Sequence, residues 1–365
     1  MDVVVFSHLR WDFVYQRPQH LMSHAAERHR VLFIEEPIPG PGVAIDWSEV
    51  APNLTVARPA LPAGMAESDA DALIAAQIRD LVIGWREHED LVGWHYSVLA
   101  EPVSRDLRAD VTVFDCMDEL SAFNGAPPHL VGRERDLIAR TDLVFTGGHS
   151  LWEAKRPLHP SVHLFPSSVD VAHFASGRAE QTEPAALEGI PHPRLVYAGV
   201  IDERIDLPLI SRLASAGVGE VVLIGPVAKI DEAAVPAGPR VHRLGMQPYA
   251  QLPAFFAHSD VALMPFALNA ATRFISPTKT PEYLAAGLPV VSTAVTDVVR
   301  GYGDLDMVSI ASDPDGFVAA CADALVRPRR LAEVDARLAG MAWDSTWAEM
   351  EGLIATVLSS RAEAA

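Results

Sequence analysis

Short runs of aliphatic and β-branched residues recur along this chain, separated by stretches whose apolar residues follow a helical period. Val3–Phe6, the run from Val31, Leu54–Ala57, Leu91–Trp94, Val111–Phe114, Leu143–Thr146 and Val162–Leu164 are too short for helices. They are also too uniformly apolar for strands with one wet face, so each reads as a strand buried on both sides. Pro18 opens a helix with Leu21, Met22, Ala25 and Ala26 on one face, and residues 69–85 carry Leu73, Ile74, Ile78, Leu81 and Val82 at helical spacing. Strand and helix in alternation dictate a parallel sheet covered on both faces, the doubly wound α/β class.

The pattern stops between Phe174 and Pro193, a polar Ala/Gly/Pro-rich stretch, and then restarts at Leu195–Tyr197, Val221–Gly225, Val261–Phe266 and Met307–Ile310. With 365 residues, two domains of ordinary size are expected. The boundaries read as residues 1–175 for a first Rossmann-like domain, 176–193 for a linker and 194–342 for a second. A last helix begins at Thr346 with Glu349 three residues on, a capping box, and aligns Trp347, Met350, Leu353, Ile354 and Val357. That stripe needs a partner surface on one domain or the other.

A formal charge of −19 excludes a general nucleic-acid binder, which needs a basic footprint. A small basic pocket survives inside an acidic protein, because distant charges are screened. No apolar run is long enough to span a bilayer, and the acidic start "MDVVVFSHLR" is unlike a signal peptide, so a cytoplasmic protein is expected. Cys116 and Cys321 stand outside any metal-ligand spacing and read as buried thiols.

Ligands of open α/β sheets bind at the carboxyl ends of strands, which singles out four stretches. His8, Arg10, Trp11 and Arg17 crowd the first loop, either to meet a ligand or to pack and pair as an ordered loop. In "FDCMDEL", Asp115, Asp118 and Glu119 are candidates for a general base, with helix capping by Asp118 as the plain alternative. In "YAGVIDERIDL", Gly199 suits a tight turn; Arg204 reaches an anion or else pairs with Asp202, Glu203 or Asp206. In "SPTKTPEYLAAGLPVVST", Thr280 and Pro281 mark a helix start and Gly287 its end. Ser276, Thr278, Lys279 and Glu282 then surround a helix N-terminus fit for phosphate. His20 and His24 have metal-ligand spacing but no third ligand, so no metal is expected. Walker, G-x-G-x-x-G and serine-elbow motifs are absent.

Two α/β halves, "YAGVIDER" opening the second, "PTKTPEYLAAGLPVVST" near its end and a closing amphipathic helix resemble glycosyltransferases of the GT-B fold, in the retaining family 4. The resemblance implies two Rossmann-like domains facing across a cleft, with the C-terminal helix, residues 343–365, crossing back to the first. It implies that the second domain holds a nucleoside-diphosphate sugar: Glu282 on the ribose, Arg204 and Lys279 on the diphosphate, and Gly199, Ser276 and Thr278 around it. Tyr249, in "LGMQPYAQL", would lie in the loop beside the base. The first domain would take the acceptor, with Asp115 and Asp118 near the transferred sugar. The implied reaction retains configuration and needs neither metal nor cofactor, and Asp118, Asp115, Arg204 and Lys279 would serve it. The acceptor would be a polysaccharide or glycolipid precursor, and a glycolipid would bring the protein to a membrane surface. The sequence departs from the pattern at Phe274, where the E-x7-E motif has its first acid, and at Val200, where an arginine is usual. Two alternatives share this architecture: a non-hydrolysing sugar-nucleotide epimerase and a non-catalytic nucleotide-sugar-binding subunit.

Overall fold

Every apolar run of the first half becomes a strand of one sheet, and every run of the second half joins another. The computed structural model describes residues 1–364 and divides into two units, Met1–Pro166 with the chain from Trp343 onward, and Ser167–Ala342.

In the first unit the strands are β1 (Asp2–Ser7), β2 (Arg30–Glu35), β3 (Ile38–Gly40), β4 (Ala44–Ala51), β5 (Leu54–Pro62), β6 (Leu91–His95), β7 (Val111–Cys116), β8 (Leu143–Thr146) and β9 (Val162–Leu164). They lie in the order β3-β5-β2-β1-β6-β7-β8-β9, all parallel, with β4 added antiparallel to β5. The order reverses between β1 and β6, which places a crevice at their carboxyl ends. The helices are α1 (Arg17–Ala26), α2 (Glu67–Trp85), α3 (Glu101–Ser104), α4 (Leu130–Arg140) and α5 (His149–Lys155). Val3, Val5 and Trp94 point to a core shared with Leu21 and Met22 of α1 and with Trp343, Trp347, Met350 and Ile354 of the C-terminal helix. Val4, Phe6 and Ile34 point the other way, onto Ile74, Ile78 and Val82 of α2. Successive residues of one strand thus feed two cores, which is why these strands are apolar throughout.

The C-terminal helix runs Trp343–Ala364, three residues longer at its start than the capping box at Thr346 predicts. Trp343 stacks on His20 with ring centroids 4.7 Å apart, and that contact carries the helix past the box. The Pro- and Gly-rich stretch after β2 includes β3, and β4 follows it. Both are exposed edge strands made by backbone pairing, which leaves no apolar period to read.

The second unit holds α6 (Val171–Ala175), β10 (Arg194–Ala198), α7 (Leu207–Ala216), β11 (Glu220–Ile224), β12 (Val241–Gly245), α8 (Leu252–Ala257), β13 (Val261–Met264), α9 (Lys279–Ala285), β14 (Val290–Thr293), α10 (Thr296–Tyr302), β15 (Val308–Ala311), α11 (Pro314–Val326) and α12 (Leu331–Leu338). Its parallel sheet has the order β12-β11-β10-β13-β14-β15 around a single apolar core. Residues 176–193, expected as a linker, are instead part of this unit. Leu187 and Ile190 are buried in its core, and Arg194 bonds the carbonyls of both, at 3.1 Å to Leu187 and 2.6 Å to Ile190. Two anchors in a polar stretch suffice to dock it, and the boundary falls between Pro166 and Ser167. No helix among the described residues is long and apolar enough to cross a membrane.

Candidate active site

In the second unit the site is built from the carboxyl end of β10 and the first turn of α9. Gly199 follows β10 with φ +154°, a region that side chains avoid, and a Cβ there would overlap Lys279 Cε and lie 2.6 Å from its Nζ. The lysine of one motif therefore rests on the glycine of the other. Tyr197 Oη donates to the Val200 carbonyl at 2.8 Å, and Tyr283 Oη accepts from the Ala198 amide at 2.7 Å, so two buried phenols fix this turn. Lys279 Nζ lies 5.9 Å from the Tyr197 ring centroid.

Arg204 joins from the loop before α7. Asp202, 3% exposed, grips it with Nε at 3.0 Å and Nη2 at 2.7 Å, the pairing foreseen as the alternative to anion binding. The pairing leaves Arg204 a quarter exposed and aims it. Burial raises the Tyr197 phenol, and the Arg204 charge opposes that rise. Glu282 is partly buried. That burial pushes its carboxyl up to about 7, against the opposing pull of the Lys279 charge and a hydrogen bond from Thr278. Thr278, Lys279 and Glu282 thus gather on one turn, with Lys279 set against Gly199. Ser276 holds the preceding loop through its carbonyl, which accepts from Ser167 Oγ at 2.8 Å.

The helix itself differs from expectation. It begins at Lys279 with Thr278 in the cap position, and Thr280 lies buried within it. Its end is as expected: Gly287 has φ +85° and the Leu288 amide reaches back to the Tyr283 carbonyl at 3.0 Å. Because α9 spans only seven residues, the site rests on its side chains more than on its dipole. Tyr249 is partly exposed and packed from within its own unit. Its ring stacks on His173 with centroids 4.6 Å apart and meets Phe174 edge-on, because α6 packs against that loop. Phe274, at the position of the motif's first acid, is partly buried beneath the Arg273 guanidinium at 5.0 Å.

In the first unit the expected residues separate. Asp115 is fully buried and bound by Arg17, itself 2% exposed, through Nε at 3.0 Å and Nη2 at 2.9 Å, while Arg17 Nη1 donates to the Phe165 carbonyl. Asp115 is thereby a structural anion rather than a base, and Arg17 its counter-ion. Asp118 is partly exposed beyond β7, one residue before Glu119, the N-cap position of the next turn. Arg10 pairs with Glu35 at 3.1 Å, the Trp11 amide donates to the same carboxylate at 2.8 Å, and the Trp11 ring packs edge-on to Phe33. Gln19 ties down the carbonyls of Arg10, Trp11 and Val14, and His8 lies partly buried in the same loop. The loop is ordered by its own pairs. His24 pairs with Glu27 rather than with His20, and no group of three ligating side chains placed for a metal occurs among the described residues.

Sequence reasoning missed Tyr197 and Tyr283 as residues that shape the second-unit site. The only signal for them was their place close to Gly199 and Glu282 in the chain.

Residues 203–327 match the family model for glycosyl transferases group 1. No curated protein matches the chain. Among solved structures, sucrose-phosphate synthase from Thermosynechococcus elongatus superposes with a TM-score of 0.71 at 15% identity, over 99% of this chain and 100% of that one. A structure described as trehalose-6-phosphate from E. coli bound with UDP-2-fluoro glucose gives 0.69 at 14% identity, over 98% and 99%. The UDP-forming α,α-trehalose-phosphate synthase from Burkholderia xenovorans, in complex with glucose-6-phosphate, gives 0.67 at 15%, over 96% and 99%. Identities this low carry the fold and no substrate. The chain has the GT-B fold, and residues 203–327 of its second unit are similar to the glycosyl transferases group 1 model.

Proposed function

We propose that this protein transfers a sugar from a nucleoside-diphosphate sugar, with UDP as the first base to test, to a hydroxyl of a glycan or glycolipid-type acceptor. The observation that carries the reading is Lys279 seated on Gly199 at the carboxyl edge of β10, with Arg204, held by Asp202, in the loop that leaves the same turn: two cations where a diphosphate would gain charge as it leaves. Glu282 is in reach of Lys279 and suits the ribose hydroxyls. The group 1 match covers all of these residues except Gly199, and one neighbour is described with a UDP-sugar analogue bound.

In the proposed step the bond from the anomeric carbon to the diphosphate oxygen breaks and a bond from the acceptor oxygen forms on the same face. The acceptor proton passes to the departing phosphate oxygen. This route retains configuration and needs neither a protein nucleophile nor a metal, because Lys279 and Arg204 stabilise the leaving charge. A second reading, a subunit that binds donor without turning it over, is favoured by Phe274 under Arg273 in place of the motif's first acid.

Calorimetry with UDP, GDP and ADP sugars, followed by diphosphate release in EDTA across an acceptor panel, tests both. Binding with EDTA-resistant release supports transfer, and binding without release under any condition selects the second reading. Absence of binding to every nucleotide sugar overturns both.

A further inference from the structure

A cavity of about 230 Å³ opens at the carboxyl edge of the first sheet, at the reversal of strand order between β1 and β6. Its walls are apolar: Phe6 and Ile34 from the strand ends, Ile74 and Ile78 from α2, Leu99 and Val103 from the segment after β6. Its polar groups are carboxylates, Glu35, Glu36 and Asp71, with Ser7 and Ser97. Among the described lining residues Arg133 is the one cation, and it is engaged by Asp71 at 3.0 Å and by the Leu99 carbonyl at 3.0 Å. Arg10 and Arg58 are both bound to Glu35, at 3.1 and 2.6 Å. Burial alone would raise the Glu35 carboxyl, but hydrogen bonds from Arg58, the Trp11 amide and Arg10 hold it below its ordinary value.

The charges at this cavity answer one another, Glu35 with Arg10 and Arg58 and Asp71 with Arg133, so an anionic ligand would have to compete with existing pairs, whereas an apolar one would bury surface against aliphatic walls. A cavity of about 150 Å³ with such walls holds a benzene-sized group, so this one takes roughly a ring or a hexyl chain. Glu36 accepts from Ser97 Oγ at 3.3 Å, a long bond that a ligand hydroxyl could share.

We infer that this cavity binds the apolar part of an uncharged amphiphile that presents a hydroxyl to Glu36 and Ser97, and that it rejects sugar phosphates. Resting on the proposed transfer reaction, the ligand is an acceptor with an alkyl or aryl aglycone, unlike the glucose-6-phosphate in the Burkholderia xenovorans structure.

The test is calorimetric titration of the full chain with methyl, butyl, hexyl and octyl β-D-glucosides below their micelle-forming concentrations, and with glucose-6-phosphate. Affinity should rise about two- to four-fold per methylene, level off near hexyl, and be absent for glucose-6-phosphate. Val103→Trp and Ala100→Phe, each checked by thermal melting, fill the cavity and should flatten the series; Ile78→Ala should move the plateau to longer chains. Equal affinity along the wild-type series overturns the inference. So does binding of glucose-6-phosphate as tight as that of hexyl glucoside, or a chain-length dependence that survives in both filled variants. UDP-sugar titration of the same wild-type preparation keeps the two readings apart. Its failure removes the transfer reaction and leaves the cavity result standing, and a flat glucoside series does the reverse.

Discussion

Lys279 and Gly199 stand eighty positions apart, and each makes sense only through the other. Lys279→Ala removes a charge-assisted contact and should weaken nucleotide-sugar binding about ten- to a hundred-fold by calorimetry, with little change in melting temperature. Gly199→Ala should lose binding to a similar degree, because the new methyl displaces the ammonium. It should also cost about 1–3 kcal/mol of stability for a side chain at that φ, read by denaturant unfolding. Glu282 gives a pH signature. Its folded carboxyl is raised from 4.5 to about 7, so its contribution to stability is complete below 4.5 and is lost as pH rises through 7. Melting temperature should therefore fall more between pH 5 and 8 in the wild type than in Glu282→Gln. Nucleotide affinity should climb through pH 7 in the wild type only, if the carboxylate accepts from ribose. Lys279, Glu282 and Arg204 could be singled out in the sequence because their motifs are short and local. The stack of Tyr249 on His173 was not legible, because the two lie more than seventy positions apart and leave no mark on the local pattern.

At the scale of elements, the sequence marked the strands well and the chemistry at their ends poorly. Asp115 sits at the end of β7 as a catalytic acid would, yet α1 brings Arg17 onto it and both are buried. Asp115→Asn should thus act on folding, at about 3–5 kcal/mol for the uncompensated Arg17 charge, a loss visible in denaturant curves. The C-terminal helix is the other case. Its stripe was plain in the sequence, but its partner was not, because an apolar face does not name the surface that covers it. The structure supplies α1 and β6, with Trp347 2% exposed and its ring centroid 5.9 Å from that of Trp94. Trp347→Ala should cost about 3–5 kcal/mol, measured as a shift of the unfolding midpoint.

For the whole molecule, a donor that binds only the folded second unit should stabilise it by about 2.7 kcal/mol at a hundred-fold excess over Kd. Hydrogen exchange should place the new protection around residues 199–204 and 276–282, and protection confined to residues 1–166 would contradict the site described above. The sequence by itself determined the fold class, since strands buried on both faces admit only helices between them. It also marked Arg204 close after the Gly199 turn, a local fact, whereas only the fold seats Lys279, eighty positions on, against that glycine. Only the tertiary structure decided where the units divide, because Leu187 and Ile190 dock by burial and not by pattern. It alone decided which acids are spent, because ion pairs such as Arg17 with Asp115 close across ninety-eight positions. And it alone formed the first-unit cavity, whose walls come from several elements that no local reading of the chain brings together.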